Sequence, residues 1–292
     1  MRKRFASVVA QIITENENTM LLLGDIGVFS FRESIEKYPK RVINMGILEQ
    51  TMIGVAAGIS KSGMYPFVHT IAPFLVERAH EQLKVDFGYQ HLSGNFVAVG
   101  ASYDYSSLGA THHAPADVEV LLGIPGFQIC IPGHPTELEE QLLTNFDNDL
   151  ATYFRITELC NKEPVNTFGK SVTRLKQGGR ATVIVVGPFL DRTLEACNSL
   201  DCEIVYLNEI SSDTEIELSK NISNNRLIIV EPFYEGTLNH LVVQSTPNRF
   251  ISICNIGIPR KFIHGYGTVQ QLDDVMLLSA SQIRERIIEF IK

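Results

Sequence analysis

The stretch Asn44-Met45-Gly46-Ile47-Leu48-Glu49-Gln50-Thr51-Met52-Ile53-Gly54-Val55-Ala56-Ala57-Gly58 decides how this chain is read. Its first residues complete a strand-like piece, Arg41 to Met45, which Gly46 breaks. Gly54, Ala56, Ala57 and Gly58 then make a helix of small residues running to Ile59. Those residues let another backbone approach closely, either inside the fold or across an interface. Glu49 falls in the first helical turn, where acids are common because they meet the positive end of the helix dipole. Its neighbourhood is apolar, which also suits an acid for exchanging a proton with a buried partner.

The same strand-then-helix grammar extends in both directions. Upstream, Phe5, Val8, Val9, Ile12 and Ile13 recur at helical spacing, and the strand-like run Thr19 to Leu23 ends at Gly24-Asp25. Downstream, strands are expected at Phe96 to Val99, Phe127 to Ile131 and Tyr153 to Ile156. A helix from about Thr136 to Phe146 is expected to open with Thr136 and Glu139 in capping-box spacing. Strands alternating with helices imply a parallel α/β sheet. The polar, Pro- and Gly-containing stretch Asn161 to Gly179 separates this block from a second one. There, strands are expected at Ala181 to Val186, Glu203 to Leu207, Arg226 to Val230 and Phe250 to Cys254, before a terminal helix marked by Ile283, Ile287, Ile288 and Ile291. The predicted architecture is α/β with two doubly wound domains, residues 1–165 and 166–292.

Composition narrows the function classes. With 25 Lys+Arg against 33 Asp+Glu, the net charge is −8, and no basic stretch offers the phosphate neutralisation on which nucleic-acid binding draws. At 45% hydrophobic and 20% charged residues over 292 positions, the chain reads as an ordinary globular protein rather than a disordered, collagen-like or coiled-coil one. No apolar run approaches the roughly 20 residues of a bilayer span. The N-terminus lacks a secretory cleavage pattern, so a cytoplasmic protein is expected. Five cysteines without close pairs fit neither a disulfide framework nor a zinc site.

The pattern from Asn44 to Gly58 resembles the glutamate segment of the transketolase family, on the pyrimidine-domain side of thiamine-diphosphate enzymes. Further matches stand in family order. Pro66-Phe67-Val68-His69-Thr70-Ile71-Ala72-Pro73-Phe74-Leu75 resembles the aromatic segment beside the cofactor, continuing into Arg78, Ala79 and Gln82. Gly109-Ala110-Thr111-His112-His113 resembles the segment whose histidine lines the substrate channel. Tyr153-Phe154-Arg155 resembles the strand carrying a phosphate-binding arginine, and the run from Gly257 to Gly267 looks like the family's C-terminal segment.

The resemblance implies roles residue by residue. Glu49 would hydrogen-bond the pyrimidine ring nitrogen of thiamine diphosphate and help form its imino tautomer. Phe74 would stack on the aminopyrimidine with Ile71 beside it, although core packing explains an aromatic there equally well. Asp25 matches an acid near the thiazolium side and also reads as a turn former. His112 would hydrogen-bond the substrate carbonyl or hydroxyl. His113, which replaces a common glutamine, would join it in binding substrate. Arg2 and Arg155 match two arginines that hold the phosphate of sugar-phosphate substrates, while a terminal arginine such as Arg2 also suits a surface ion pair. The adjacent histidines do not by themselves make a metal site, and no metal ligand is assigned to this chain.

Departures from the family pattern matter as much. Ser107-Leu108 replaces the usual Glu-Asp, so the acid that reads substrate hydroxyls is absent, and Phe29 stands near the place of a phosphate-contacting serine. No Gly-Asp-Gly segment of the family's metal-diphosphate site is present, so Mg2+ and the diphosphate are expected to be held by a separate N-terminal subunit. The expected protein is therefore the C-terminal subunit of a split transketolase-like enzyme, a homodimer within an α2β2 assembly, moving a two-carbon ketol unit between a ketose and an aldose. An anionic sugar or sugar derivative is the expected substrate. Alternatives are a subunit similar to deoxyxylulose-phosphate synthase, one similar to a 2-oxoacid dehydrogenase beta chain, or a noncatalytic α/β interaction subunit. A dinucleotide-binding fold is disfavoured because no Gly-x-Gly-x-x-Gly follows the first strand.

Overall fold

A computed structural model describes all 292 residues. Six parallel strands form most of the first sheet: β1 (Thr19–Leu23), β2 (Val42–Asn44), β3 (Tyr65–Ile71), β4 (Gly94–Val99), β5 (Phe127–Cys130) and β6 (Ala151–Arg155). The second sheet holds β7 (Val172–Lys176), β8 (Ala181–Val186), β9 (Cys202–Leu207), β11 (Arg226–Tyr234) and β12 (Ser252–Ile258), in the order β12-β11-β8-β9-β7. A two-residue strand, β10 (Glu209–Ile210), leaves the second half of the chain and pairs antiparallel with β5, giving the first sheet the order β10-β5-β6-β4-β3-β1-β2. This is the α/β, doubly wound architecture expected from the alternating pattern.

Both faces of the first sheet are covered, and β1 shows why. Leu22 packs on one side with Met52, Ile53 and Ala56 of the helix Glu49–Lys61. Leu21 and Leu23 point the other way, toward Phe5, Val8, Val9 and Ile12 of the helix Arg2–Glu15. A strand buried on both faces needs a run of apolar residues rather than alternation, as Leu21-Leu22-Leu23 supplies.

One helix start differs from expectation. The helix Pro135–Asn145 begins at a proline, and its N-cap is His134, whose Nδ1 accepts from the Thr136 N–H at 3.1 Å. Proline at the first position gives up only an N–H that has no helical partner there, so the cap falls two residues earlier than Thr136. No helix of the chain is long and apolar enough to cross a membrane.

The topology places the chemistry. Asp25 follows the carboxyl end of β1, Gly46 to Glu49 follows β2, Phe74 follows β3, the loop carrying Tyr105 and His112 follows β4, and Arg155 ends β6. Ligands of open α/β sheets bind outside these carboxyl ends.

Candidate active site

Glu49 is the first residue of its helix and is 2% exposed. Its Oε2 accepts from Arg78 Nη1 at 2.9 Å, whereas Oε1 is buried and has no partner. Leaving a buried polar atom unmatched costs about 1–3 kcal/mol, so Oε1 calls for a donor that the chain itself does not supply.

From Arg78 a row of side chains runs across the strand ends. The guanidinium of Arg78 lies over the ring of Phe74, 4.1 Å from its centroid. The Phe74 ring meets His112 edge-on at 5.3 Å, and His112 meets Tyr105 at 6.0 Å. Arg2 closes the row, its Nη2 donating to the Tyr105 hydroxyl at 2.9 Å and approaching Glu158 at 3.5 Å. Phe74 and Arg78 stand four residues apart, on one side of a helical turn, and Pro73–Glu77 is a wide, π-type turn, a geometry that recurs at functional sites. Thr111 Oγ1 lies 2.9 Å from His112 Nδ1 and orients the half-buried imidazole.

The chain therefore brings Glu49, Phe74, His112 and Arg2 into one continuous row. Ile71 ends β3 almost fully buried, and its methyl lies within 3.3 Å of where a Cβ on Gly100 would stand. Asp25 is exposed, in a left-handed turn with φ 58°, and exchanges hydrogen bonds with Asn44: its N–H donates to Asn44 Oδ1 and its Oδ1 accepts from Asn44 Nδ2 at 3.0 Å. The same Asn44 Oδ1 accepts from the N–H of Gly46, tying the Asp25 turn to the approach to Glu49.

Two expected substrate contacts sit elsewhere. Arg155 is fully buried: its Nε bonds Asp117 Oδ2 at 2.8 Å, and its Nη2 donates to Ser102 Oγ at 2.9 Å and toward the Pro232 carbonyl on β11. Tyr153 donates to the same carboxylate oxygen at 2.9 Å. Arg155 Nη1 has no partner, but the side chain is fully enclosed, and through Asp117 and Pro232 it ties the end of β6 to the second sheet. His113 turns away from His112 into a buried position, beside a separate cavity of about 100 Å³ shared with Glu77, Tyr234 and Lys261. Burial pushes its pKa below the usual histidine value, against a hydrogen bond to the Tyr105 backbone that opposes the shift.

Leu108, standing where an acid was expected, is exposed in the loop before His112. No group of three or more histidine, cysteine or carboxylate side chains is placed to hold a metal ion by protein ligands alone. Sequence reasoning did not single out Arg78 or Tyr105 as contacts, although Arg78 lay within the quoted pattern and one helical turn past Phe74.

Residues 1–160 match the family model described as the transketolase, pyrimidine binding domain. The chain belongs to the transketolase family. Within it, the uncharacterized 33.6 kDa protein in the fasciation locus of Rhodococcoides fascians is 34% identical, over 98% of this chain and 93% of that relative. One of the subunits of the apulose-4-phosphate transketolase of Phocaeicola vulgatus is 26% identical over 90% and 89% of the two chains. In fold, the chain matches a solved structure described as a split gene transketolase, inactive beta4 tetramer, with a TM-score of 0.83 at 21% identity, covering 99% of this chain and 97% of that one. These transketolase relatives are thus of nearly the same extent as this chain.

Proposed function

We propose that this chain is the C-terminal subunit of a split transketolase-like enzyme that transfers a two-carbon ketol unit from a ketose to an aldose. The observation that carries the reading is the Glu49 carboxylate, with one oxygen fastened to Arg78 and the other buried and unmatched. That arrangement fits the pyrimidine end of thiamine diphosphate, which, when bound, supplies the nucleophilic carbon and the electron sink of the reaction. Glu49 Oε1 is the atom that would take up and return a proton at the ring nitrogen. Phe74, half-buried, offers a stacking face, Ile71 closes the wall behind it, and Asp25 lies on the outer side of the same strand ends.

His112 would hydrogen-bond a substrate carbonyl or hydroxyl, a role supported by its packing against Phe74 and the hold of Thr111 on its Nδ1. With Arg155 enclosed, Arg2 is the arginine left for substrate, and its side chain is 44% exposed. Magnesium and the diphosphate are assigned to an N-terminal partner subunit, because this chain has no Gly-Asp-Gly segment of the family's metal-diphosphate site. A second copy of the chain is proposed to pack near Glu49: Ile47, Leu48 and Val55 are exposed apolar residues, and nothing lies within 4 Å of where a Cβ on Gly58 would stand. The split gene transketolase and the apulose-4-phosphate relative, itself one subunit of its enzyme, support a multi-subunit assembly. Residues 1–165 and 166–292 are proposed as its two domains, and the cytoplasm as its location.

The test is Glu49→Gln in the complex with its partner. Turnover is expected to fall by about 10²–10⁴, the usual worth of a positioned acid or base, while assembly stays intact. Wild-type turnover at saturating cofactor would overturn the assignment.

A further inference from the structure

Arg2 also borders a second recess, a cavity of about 200 Å³ beside the row and walled by Phe5, Phe29 and Phe31. That volume exceeds the roughly 150 Å³ of a cavity that accepts benzene, so it holds a short carbon stem with its substituents. Alternation along β3 puts His69 on the same face as Phe67 and Ile71, and its imidazole packs on Phe5 at 4.5 Å. His69 is 3% exposed, and its Nδ1 lies 2.8 Å from the Val97 carbonyl oxygen. A carbonyl oxygen only accepts, so Nδ1 carries the hydrogen and Nε2 keeps its lone pair, with no partner in the chain. Gly27, at φ 78°, lets the loop after β1 lie against this ring: a Cβ there would come within 2.9 Å of His69 Cδ2 and 3.1 Å of Nε2. Burial, with a smaller contribution from the positive charge of Arg2, pushes the imidazole down to about 4 against the Val97 hydrogen bond, so it is neutral at physiological pH.

Of the polar side chains that line the recess, Arg2 and Ser30 are exposed, whereas the buried one, His69, offers an acceptor and demands a donor from whatever enters. A phosphate ester, doubly charged and carrying no N–H or O–H at neutral pH, would leave Nε2 unmatched. It would also meet a single positive charge, the Arg2 guanidinium already shared with Tyr105 and Glu158, with only the Ser30 hydroxyl beside it. A hydroxyl on a carbon stem satisfies both walls and acceptor. We infer that this recess binds the uncharged, hydroxyl-bearing end of the sugar, that hydroxyl donating to His69 Nε2 while its carbons pack on Phe5 and Phe31. The substrate of the proposed ketol transfer is then a sugar that is not phosphorylated at that end. This inference rests on the proposed reading for the word substrate alone; the recess and its chemistry stand apart from cofactor and turnover.

The experiment uses the full chain labelled with ¹⁵N-histidine, titrated with D-xylulose and separately with D-xylulose 5-phosphate while the His69 Nε2 resonance is followed. Saturable movement with the free sugar is expected, with the phosphate ester binding about tenfold more weakly, the worth of one mismatched hydrogen bond. His69→Phe should abolish free-sugar binding measured by calorimetry, and His69→Gln, which keeps an acceptor, should retain part of it. Tighter binding of the phosphate ester, binding of neither sugar, or unchanged free-sugar affinity in both His69 variants would overturn the inference. Because no cofactor or partner is present, failure here leaves the Glu49→Gln test untouched, and failure there leaves this one standing.

Discussion

Arg155 and Asp117 meet at 2.8 Å, and Arg78 and Glu49 at 2.9 Å, yet the two pairs differ in everything around them. In the first, both side chains are fully buried and the carboxylate is used up: Oδ2 serves Arg155 and Tyr153, and Oδ1 takes the Val118 N–H. In the second, the arginine is 44% exposed and one carboxylate oxygen is left over. Both members of this pair are sealed from solvent, so although Arg155 Nη1 has no partner, the pair presents nothing at the surface to a ligand. A half-satisfied pair is costly on its own terms and becomes favourable only when a further donor arrives. The contrast sets a buried arginine apart from a half-exposed one, where the sequence pattern had grouped Arg155 with substrate contacts.

The comparison breaks first at Asp117. Asp117→Asn keeps the shape but strands a buried guanidinium, and urea unfolding is expected to show a loss of about 3–5 kcal/mol. A loss below about 1 kcal/mol would mean that the closed pair is not structural. A somewhat smaller effect comes from pH. The unfolded chain binds the His69 proton below about 6.5 and the folded chain only below about 4. Between those values the unfolded state therefore holds more protons, and stability should fall as pH is lowered through that window, by about 3 kcal/mol in all. His69→Phe should flatten this part of the stability profile, and an unchanged slope would show that His69 titrates as an ordinary exposed histidine. The smallest effect is expected at Arg78→Gln, about 1 kcal/mol, since water can reach the half-exposed end of the pair. A loss as large as that of Asp117→Asn would erase the distinction between the two pairs.

Much of this was legible in the residues. Period and punctuation located nine of the twelve strands, because runs such as Ala181 to Val186 are long enough to be buried on both faces, while Tyr65–Ile71 and Val172–Lys176 were not singled out as strands. The two-residue strand Glu209–Ile210 carried no such signal, since its pairing with Cys130 and Ile129 depends on how the two sheets meet. The row from Glu49 to Arg2 was legible as separate motifs following successive strands, but not as contacts. The burial of Arg155 was hidden for the same reason: a motif places an arginine at a strand end without revealing that Asp117, 38 residues earlier, pairs with it. His69 lay inside a quoted segment and went unremarked, because an imidazole among apolar strand residues looks like core until its hydrogen-bond partner is known.

The claim at the centre is that this chain carries the pyrimidine half of a site completed by another polypeptide. Calorimetry of thiamine diphosphate with Mg2+ tests it most directly, injecting into the chain alone and into the chain mixed with its N-terminal partner. The account expects weak binding to the chain alone and binding tighter by about 100-fold or more, roughly 2.7 kcal/mol, once the partner is present. Tight, magnesium-dependent binding by the chain alone would contradict it.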